Sequence, residues 1–151
     1  MIPGINSFAV LAADVPVAAS ATLVDVTGLG FNLPAGKTVI FEAWVPFSTG
    51  ATGGFKFQLT NSQVPQDYKV SFTAVDGTAA VPGSEFSVTQ VTQAAFANAW
   101  AVAGNHYLKI EGKLTGHATL ADTVQLQVAC NSAANAITAL KGAWLKLTQL
   151  N

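Results

Sequence analysis

The stretch Gly28–Phe47, GLGFNLPAGKTVIFEAWVPF, decides the fold. Within it, Asn32-Leu33-Pro34-Ala35-Gly36 puts proline and glycine where a tight turn uses them. From Lys37 to Pro46 the chain then alternates. One face carries Val39, Phe41, Ala43 and Val45, and the other carries Thr38, Ile40, Glu42 and Trp44. A period of two specifies a strand. A half-buried strand leaves its second face polar, whereas Ile40 and Trp44 make this one partly apolar. The pattern predicts a core on one side and a partner on the other.

The same stretch contains a near-match to the phosphate-binding loop G-x-x-x-x-G-K-[ST], at Gly30–Thr38 (GFNLPAGKT). Two features reject it. Five residues separate the glycines instead of four. The loop must also open a helix whose N-terminus faces the phosphates. Here the β-branched and aromatic Val39-Ile40-Phe41 follows, so a corner or hairpin turn is expected.

Working outward, Thr22–Val26 alternates and reads as a first strand, with a bend at Gly28 and Gly30. Ser48–Gly54 reads as a loop. Phe55–Thr60 is a half-buried strand, with Phe55, Phe57 and Leu59 on one face and Lys56, Gln58 and Thr60 on the other. Tyr68–Val75 alternates, and Asp76-Gly77 is a turn dipeptide. Phe86–Val91 is a short strand. Thr92–Val102 (TQAAFANAWAV) is ambiguous, because its alanines suit a helix and its flanks suit an extended segment. Phe96 and Trp100 are expected to be buried either way. Gly104-Asn105 reads as a turn. Tyr107–Leu114 sends Leu108, Ile110 and Leu114 one way and Lys109, Glu111 and Lys113 the other. Thr123–Cys130 and Ala136–Leu150 complete about eight strands with turn signals between them, the pattern of a β-sandwich or jelly roll. The expected class is therefore all-β, an antiparallel jelly-roll sandwich at 22–151. Residues 1–21, apolar but broken by Pro3, Gly4 and Pro16, are expected to form a short N-terminal arm.

Composition narrows function by exclusion. The chain has 151 residues, enough for one domain that buries roughly 70% of its unfolded surface. Only 10% of residues are charged and 50% are hydrophobic, against about 25% charged in ordinary domains. The apolar stretches are too short and too interrupted for a membrane helix of about 18 residues. With a net charge of −1, electrostatic repulsion between copies is weak, which favours association. All seven basic residues are scattered lysines and there is no arginine. The chain thus lacks the basic footprint of a nucleic-acid binder. Ala19-Ser20-Ala21 resembles a signal cleavage site, but no basic residue precedes it and Asp14 and Pro16 interrupt the apolar run.

Residues with chemistry are few. His106 and His117, with Glu111 between them, could share a zinc ion only if the fold brought them together. Exposed loop or edge histidines are the plainer expectation. Cys130 is single, on or beside an inward face, and reads as a buried structural thiol. Asp14, Asp25, Asp67, Asp76 and Asp122 lie mostly in or near turns and read as backbone caps. Trp44, Trp100 and Trp144 could line a sugar site, although packing in a core or between subunits is the commoner use of tryptophan. No catalytic residue, metal ligand or cofactor-binding residue is assigned.

Taken in order, LPAGKTVIFEA (Leu33–Ala43), IEGKLT (Ile110–Thr115), TVQLQVA (Thr123–Ala129) and the closing GAWLKLTQL (Gly142–Leu150) resemble the jelly-roll domains of tailed-bacteriophage structural proteins. The resemblance, over about Thr22 to Leu150, is to small virion proteins and tail-tip domains with a tumour-necrosis-factor-like trimeric fold. It implies a homotrimer without enzymatic activity or cofactor. Receptor-binding members carry a long shaft before the jelly roll, so the short arm expected here points to a head decoration, or cement, protein. Such a protein sits on the capsid surface with the major capsid protein as partner, and touches neither nucleic acid nor membrane. The expected interface residues are Ile2, Ile5, Phe8 and Leu11 in the arm, and Ile40, Trp44 and Trp144 on the domain. The alternatives are a tail or fibre receptor-binding protein, or a carbohydrate-binding sandwich with aromatics clustered on one sheet face.

Overall fold

The structure is a computed structural model and describes residues 6–17, 21–50, 55–76, 84–89, 96–98, 104–130 and 136–150. These hold twelve strands: β1 (Asn6–Val10), β2 (Val15–Val17), β3 (Val24–Leu33), β4 (Thr38–Thr49), β5 (Phe55–Thr60), β6 (Asp67–Asp76), β7 (Ser84–Thr89), β8 (Phe96–Asn98), β9 (Gly104–Thr115), β10 (Asp122–Ala129), β11 (Ile137–Ala139) and β12 (Trp144–Gln149). There is no helix among the described residues.

All pairings are antiparallel. The larger sheet has the order β1-β12-β4-β9-β6-β7, with β11 also beside β4 and β2 beside β11, and the smaller sheet runs β3-β10-β5-β8. Set β1-β12-β4-β9 against β3-β10-β5-β8 and the architecture is a jelly roll, because β3 to β4, β4 to β5 and β9 to β10 each cross between sheets. The β6–β7 hairpin lies between β5 and β8 in sequence and widens the larger sheet.

The alternation read from sequence supplies the core. Val39, Phe41, Ala43, Val45 and Phe47 of β4 are buried, as are Val26, Leu29, Phe31 and Leu33 of β3. Rings knit the two sheets together. Phe31 meets Phe41 at a centroid distance of 5.6 Å, and Phe57 meets the edge of Phe72 at 4.7 Å. Gly112 leaves room for this packing, since a Cβ there would lie 2.9 Å from the Phe41 ring and 2.6 Å from the Lys69 carbonyl. The stretch that imitates a phosphate loop is the corner from β3 to β4. Gly36 holds φ +64 there, and its N–H donates to the His117 carbonyl at 2.8 Å.

Several expected boundaries move. β3 does not end at the Gly28–Gly30 bend but runs through it as a bulge. Its register on β10 jumps between Gln125 and Gln127, and the Gln125 amide Nε2 donates to the carbonyls of Val26 and Leu29 at 2.8 and 3.0 Å. The side chain thus replaces ladder bonds that the bulge removes. Gly104-Asn105, expected as a turn, opens β9. The ambiguous 92–102 segment contains β8. The closing segment is two strands, because Gly142 at φ +86 turns the chain between β11 and β12.

The expected arm, 1–21, contributes β1 and β2 to the larger sheet. The ordering groups come from the far end of the chain. The Leu11 N–H donates to the Ala143 carbonyl (2.8 Å), the Gly142 N–H to the Leu11 carbonyl (3.0 Å), and the Lys141 N–H to Asp14 Oδ1 (2.7 Å).

Candidate functional site

The outward residues of β4 sit in the middle of the larger sheet. Register places Trp44 opposite Trp144 of β12 on one side and Lys109 of β9 on the other, while Val10 of β1 lies opposite Trp144. Diagonal neighbours complete an apolar strip over four strands. Phe8 packs on Trp144 at 5.9 Å, and Trp44 stacks on Tyr107 at 4.4 Å with an interplanar angle of 14°. Phe8, Val10 and Ile40 remain 63, 49 and 43% exposed, and Trp44, Trp144 and Tyr107 are half-buried.

Charge borders this strip. Glu42 and Glu111 lie opposite each other across β4 and β9, an unfavourable pairing of like charges. Lys109 answers it by reaching both, at 2.8 Å from Glu111 and 3.8 Å from Glu42. Its hydrogen bond to Glu111 raises the Lys109 pKa and lowers that of Glu111. Further along, Asp67 bridges Lys113 at 3.1 Å and Lys69 at 3.4 Å, and the hydrogen bond from Lys113 leads in lowering its pKa. A shallow depression of about 280 Å³ lies among Ile40, Glu42, Glu111, Lys146 and Thr148.

Two opposed carboxylates invite comparison with a glycoside-hydrolysing pair. That chemistry needs one carboxyl held protonated by a raised pKa. The lysine salt bridge works the other way on Glu111, which is exposed. The cluster is a solvated ion network rather than an acid–base pair.

The expected interface residues separate into three groups. Ile40, Trp44, Trp144 and Phe8 share the outer face of the larger sheet. Leu11 does not join them: it is 5% exposed, packed into the chain's own core beneath Gly28, because the hydrogen bonds to the β11–β12 turn pull it inward. Ile2 and Ile5 lie outside the described residues, as does Trp100. Tyr107 and Val10 belong to the strip without having been singled out. The period of β9 carries the signal for Tyr107, since it shares the parity of Lys109 and Glu111.

The histidines are apart. His106 is buried near one end of β9, with Nε2 3.2 Å from Thr49 Oγ1 and its ring 5.4 Å from Phe47. His117 lies beyond the other end, where Nδ1 accepts the N–H groups of Thr119 and Leu120, both at 3.3 Å. Strand rise alone separates them by roughly 30 Å, so they share no metal. Cys130 is buried in the core. Asp122 caps more than a local turn, accepting from the N–H and hydroxyl of Ser62 and the N–H groups of Gln63 and Thr123 at 2.7–3.0 Å.

No family model matches the sequence, and no curated protein is significantly similar to it. Among solved structures, the chain is similar to the CBM22-1–GH10 modules of endo-1,4-β-D-xylanase 10B from Clostridium thermocellum, complexed with xylohexaose. That identity is 13%, over 100% of this chain and 29% of that one, with a TM-score of 0.35. A CBM4 structure is 12% identical over 82% of this chain and 94% of its own, with a TM-score of 0.25. Infectious bursal disease virus, Gx strain, gives 10% over 97% and 41%, with a TM-score of 0.21. The chain thus spans less than a third of the xylanase chain. The sandwich assignment rests on the strand pairing above, not on these likenesses.

Proposed function

We propose that this chain is a structural protein of a tailed-phage virion, a capsid decoration or cement protein that assembles as a homotrimer and stabilises the head. In this reading it is not an enzyme, needs no cofactor, and has the major capsid protein as its partner. One observation supports it above the others. The outer face of the larger sheet carries an apolar strip of Phe8, Val10, Trp144, Trp44 and Tyr107, on a chain with only 10% charged residues. Such a strip favours being covered by another protein surface. Three modest contacts around a three-fold axis would add their affinities without any single strong site. The capsid assignment comes from the sequence resemblance, and the strip supplies a surface suited to it.

Two measurements test the reading. Light scattering of the purified chain should give a trimer, and a monomer would remove that part. Particles depleted of the protein should lose resistance to heat and osmotic shock. If depleted particles withstand both as complete ones do, the cement role is wrong. Location in the particle separates head from tail, and labelling at the tail tip would select the receptor-binding alternative.

A carbohydrate-binding role has one observation in its favour, since aromatics including Trp44 do gather on one sheet face. Ring geometry opposes it. Rings 4.4 Å apart at 14° turn their faces to each other, whereas a flat platform for a sugar presents faces to solvent. Glycan-array binding lost in Trp44→Ala would overturn this preference.

A further inference from the structure

Antiparallel sheets have edges, and an edge strand with unpaired N–H and C=O groups templates another strand unless something blunts it. Among the described residues five strands end the two sheets, and one of them, β2, is three residues long and carries Pro16. β3 is interrupted by the Gly28 bulge and carries Asp25, β7 contains Glu85, and β8 is three residues long. β1 (NSFAV) is short but has no charge, no proline and no bulge. Among the described residues it pairs only with β12.

The hydrogen-bond pattern says which groups of β1 face outward. The Leu11 N–H donates to Ala143, and the Leu11 carbonyl accepts from Gly142. Residue 11 therefore points its backbone at the β12 side. Direction alternates along an antiparallel strand, so Ser7 and Ala9 point to β12, while Asn6, Phe8 and Val10 point away.

From this we infer that β1 is a self-pairing edge: two copies of the chain join β1 to β1, antiparallel, with Phe8 opposite Phe8 of the second copy and Asn6 opposite Val10. This register uses every outward group of the strand, forming about six N–H···O bonds. It brings no like charges together, since β1 has none. It also places the two Phe8 side chains on the same outer face, about 5.5 Å apart at Cα. The apolar strip then continues from Trp44 through Trp144 and Phe8 into the second copy. A second copy fits better than an unrelated segment because the strand has no charge to repel itself and its central, exposed Phe8 meets its own copy.

The test is Phe8→Pro. The Phe8 N–H lies outside the β1–β12 ladder, so proline removes an outward donor and spares the fold. Two lost central bonds and one lost aromatic pair weaken pairing roughly 100-fold. Light scattering at fixed concentration should show the mass of the unmodified assembly halved in the variant. Phe8→Ala keeps the backbone donor and should weaken pairing only about 5-fold. Hydrogen exchange of the unmodified chain guards against a misfolded variant, because the Phe8 and Val10 amides should be protected when concentrated and lose protection on dilution. Phe8 also belongs to the strip offered for the three-fold contact, so the same masses are read in Asn6→Pro, which removes an outward backbone donor of β1 and leaves that strip in place. A hexamer that falls to trimers supports both, and a dimer that falls to monomers keeps the pairing and removes the three-fold. A mass unchanged by Phe8→Pro, or exchange at residues 8 and 10 that ignores concentration, overturns the pairing.

Discussion

Asp122 is a buried residue whose charge the fold uses. Burial by itself would push its carboxyl up, but the donors from Gln63, Ser62 and Thr123 outweigh that and hold its pKa below 3.8. A group with a depressed folded pKa stabilises fully above its unfolded value, near 4, and loses that contribution as pH falls through the folded value. Asp122→Asn turns one acceptor atom into a donor facing N–H groups, and should cost about 1–3 kcal/mol at pH 7. Denaturant titrations should show the gap between variant and parent narrowing below about pH 4, and a gap constant from pH 7 to pH 2.5 would mean that the carboxylate charge plays no part. Gly112 is a second such position, for steric reasons. Gly112→Ala would drive a Cβ against the Lys69 carbonyl and the Phe41 ring and should cost about 1–3 kcal/mol, seen as a lower thermal midpoint with the assembly unchanged.

At the scale of elements, the strands divide by where their information lies. β4, β5 and β9 were legible because burial on one face imposes a period of two on their own residues. That period put Ile40 and Trp44 outward, with Tyr107 available by the same logic. β3 was cut short at Gly28 because the group that carries it through the bulge, the Gln125 amide, lies far along the chain. β1 falls within the expected arm for the same reason, since its partner β12 is at the opposite end of the sequence. In the sequence Phe8 stands out by apolarity alone, and pairing with β12 shows that it extends the Trp144 and Trp44 row. Leu11, equally apolar, is core because the β11–β12 turn binds its backbone. The bulge has a direct test. Gln125→Ala leaves the Val26 and Leu29 carbonyls without these donors and should cost about 1–3 kcal/mol. If the melt is unchanged, the amide is not what holds β3 to β10 there.

For the whole molecule, the question is what covers the outer face of the larger sheet. Its ion pairs are exposed, of the kind that contributes little and fades with salt. Its apolar side chains are worth more, about 1.5–3 kcal/mol for each one fully buried. Removing Ile40 and Trp44 together should therefore dominate any loss of assembly through this face. Ile40→Ser with Trp44→Ser leaves the core untouched, because both residues lie opposite the buried parity of β4. The variant should keep its far-ultraviolet dichroism and give up only the local stacking on Tyr107, about 0.5–1.5 kcal/mol. Light scattering at micromolar concentration should then find subunits parted at this face, with the β1 edge still able to pair. In the unmodified chain, 1 M salt should leave assembly intact, since ions screen charge pairs and do not weaken apolar burial. Dissociation by salt would move the contact to the Lys109 and Lys113 networks. A folded trimer surviving the double substitution would show that the three-fold is built from another surface.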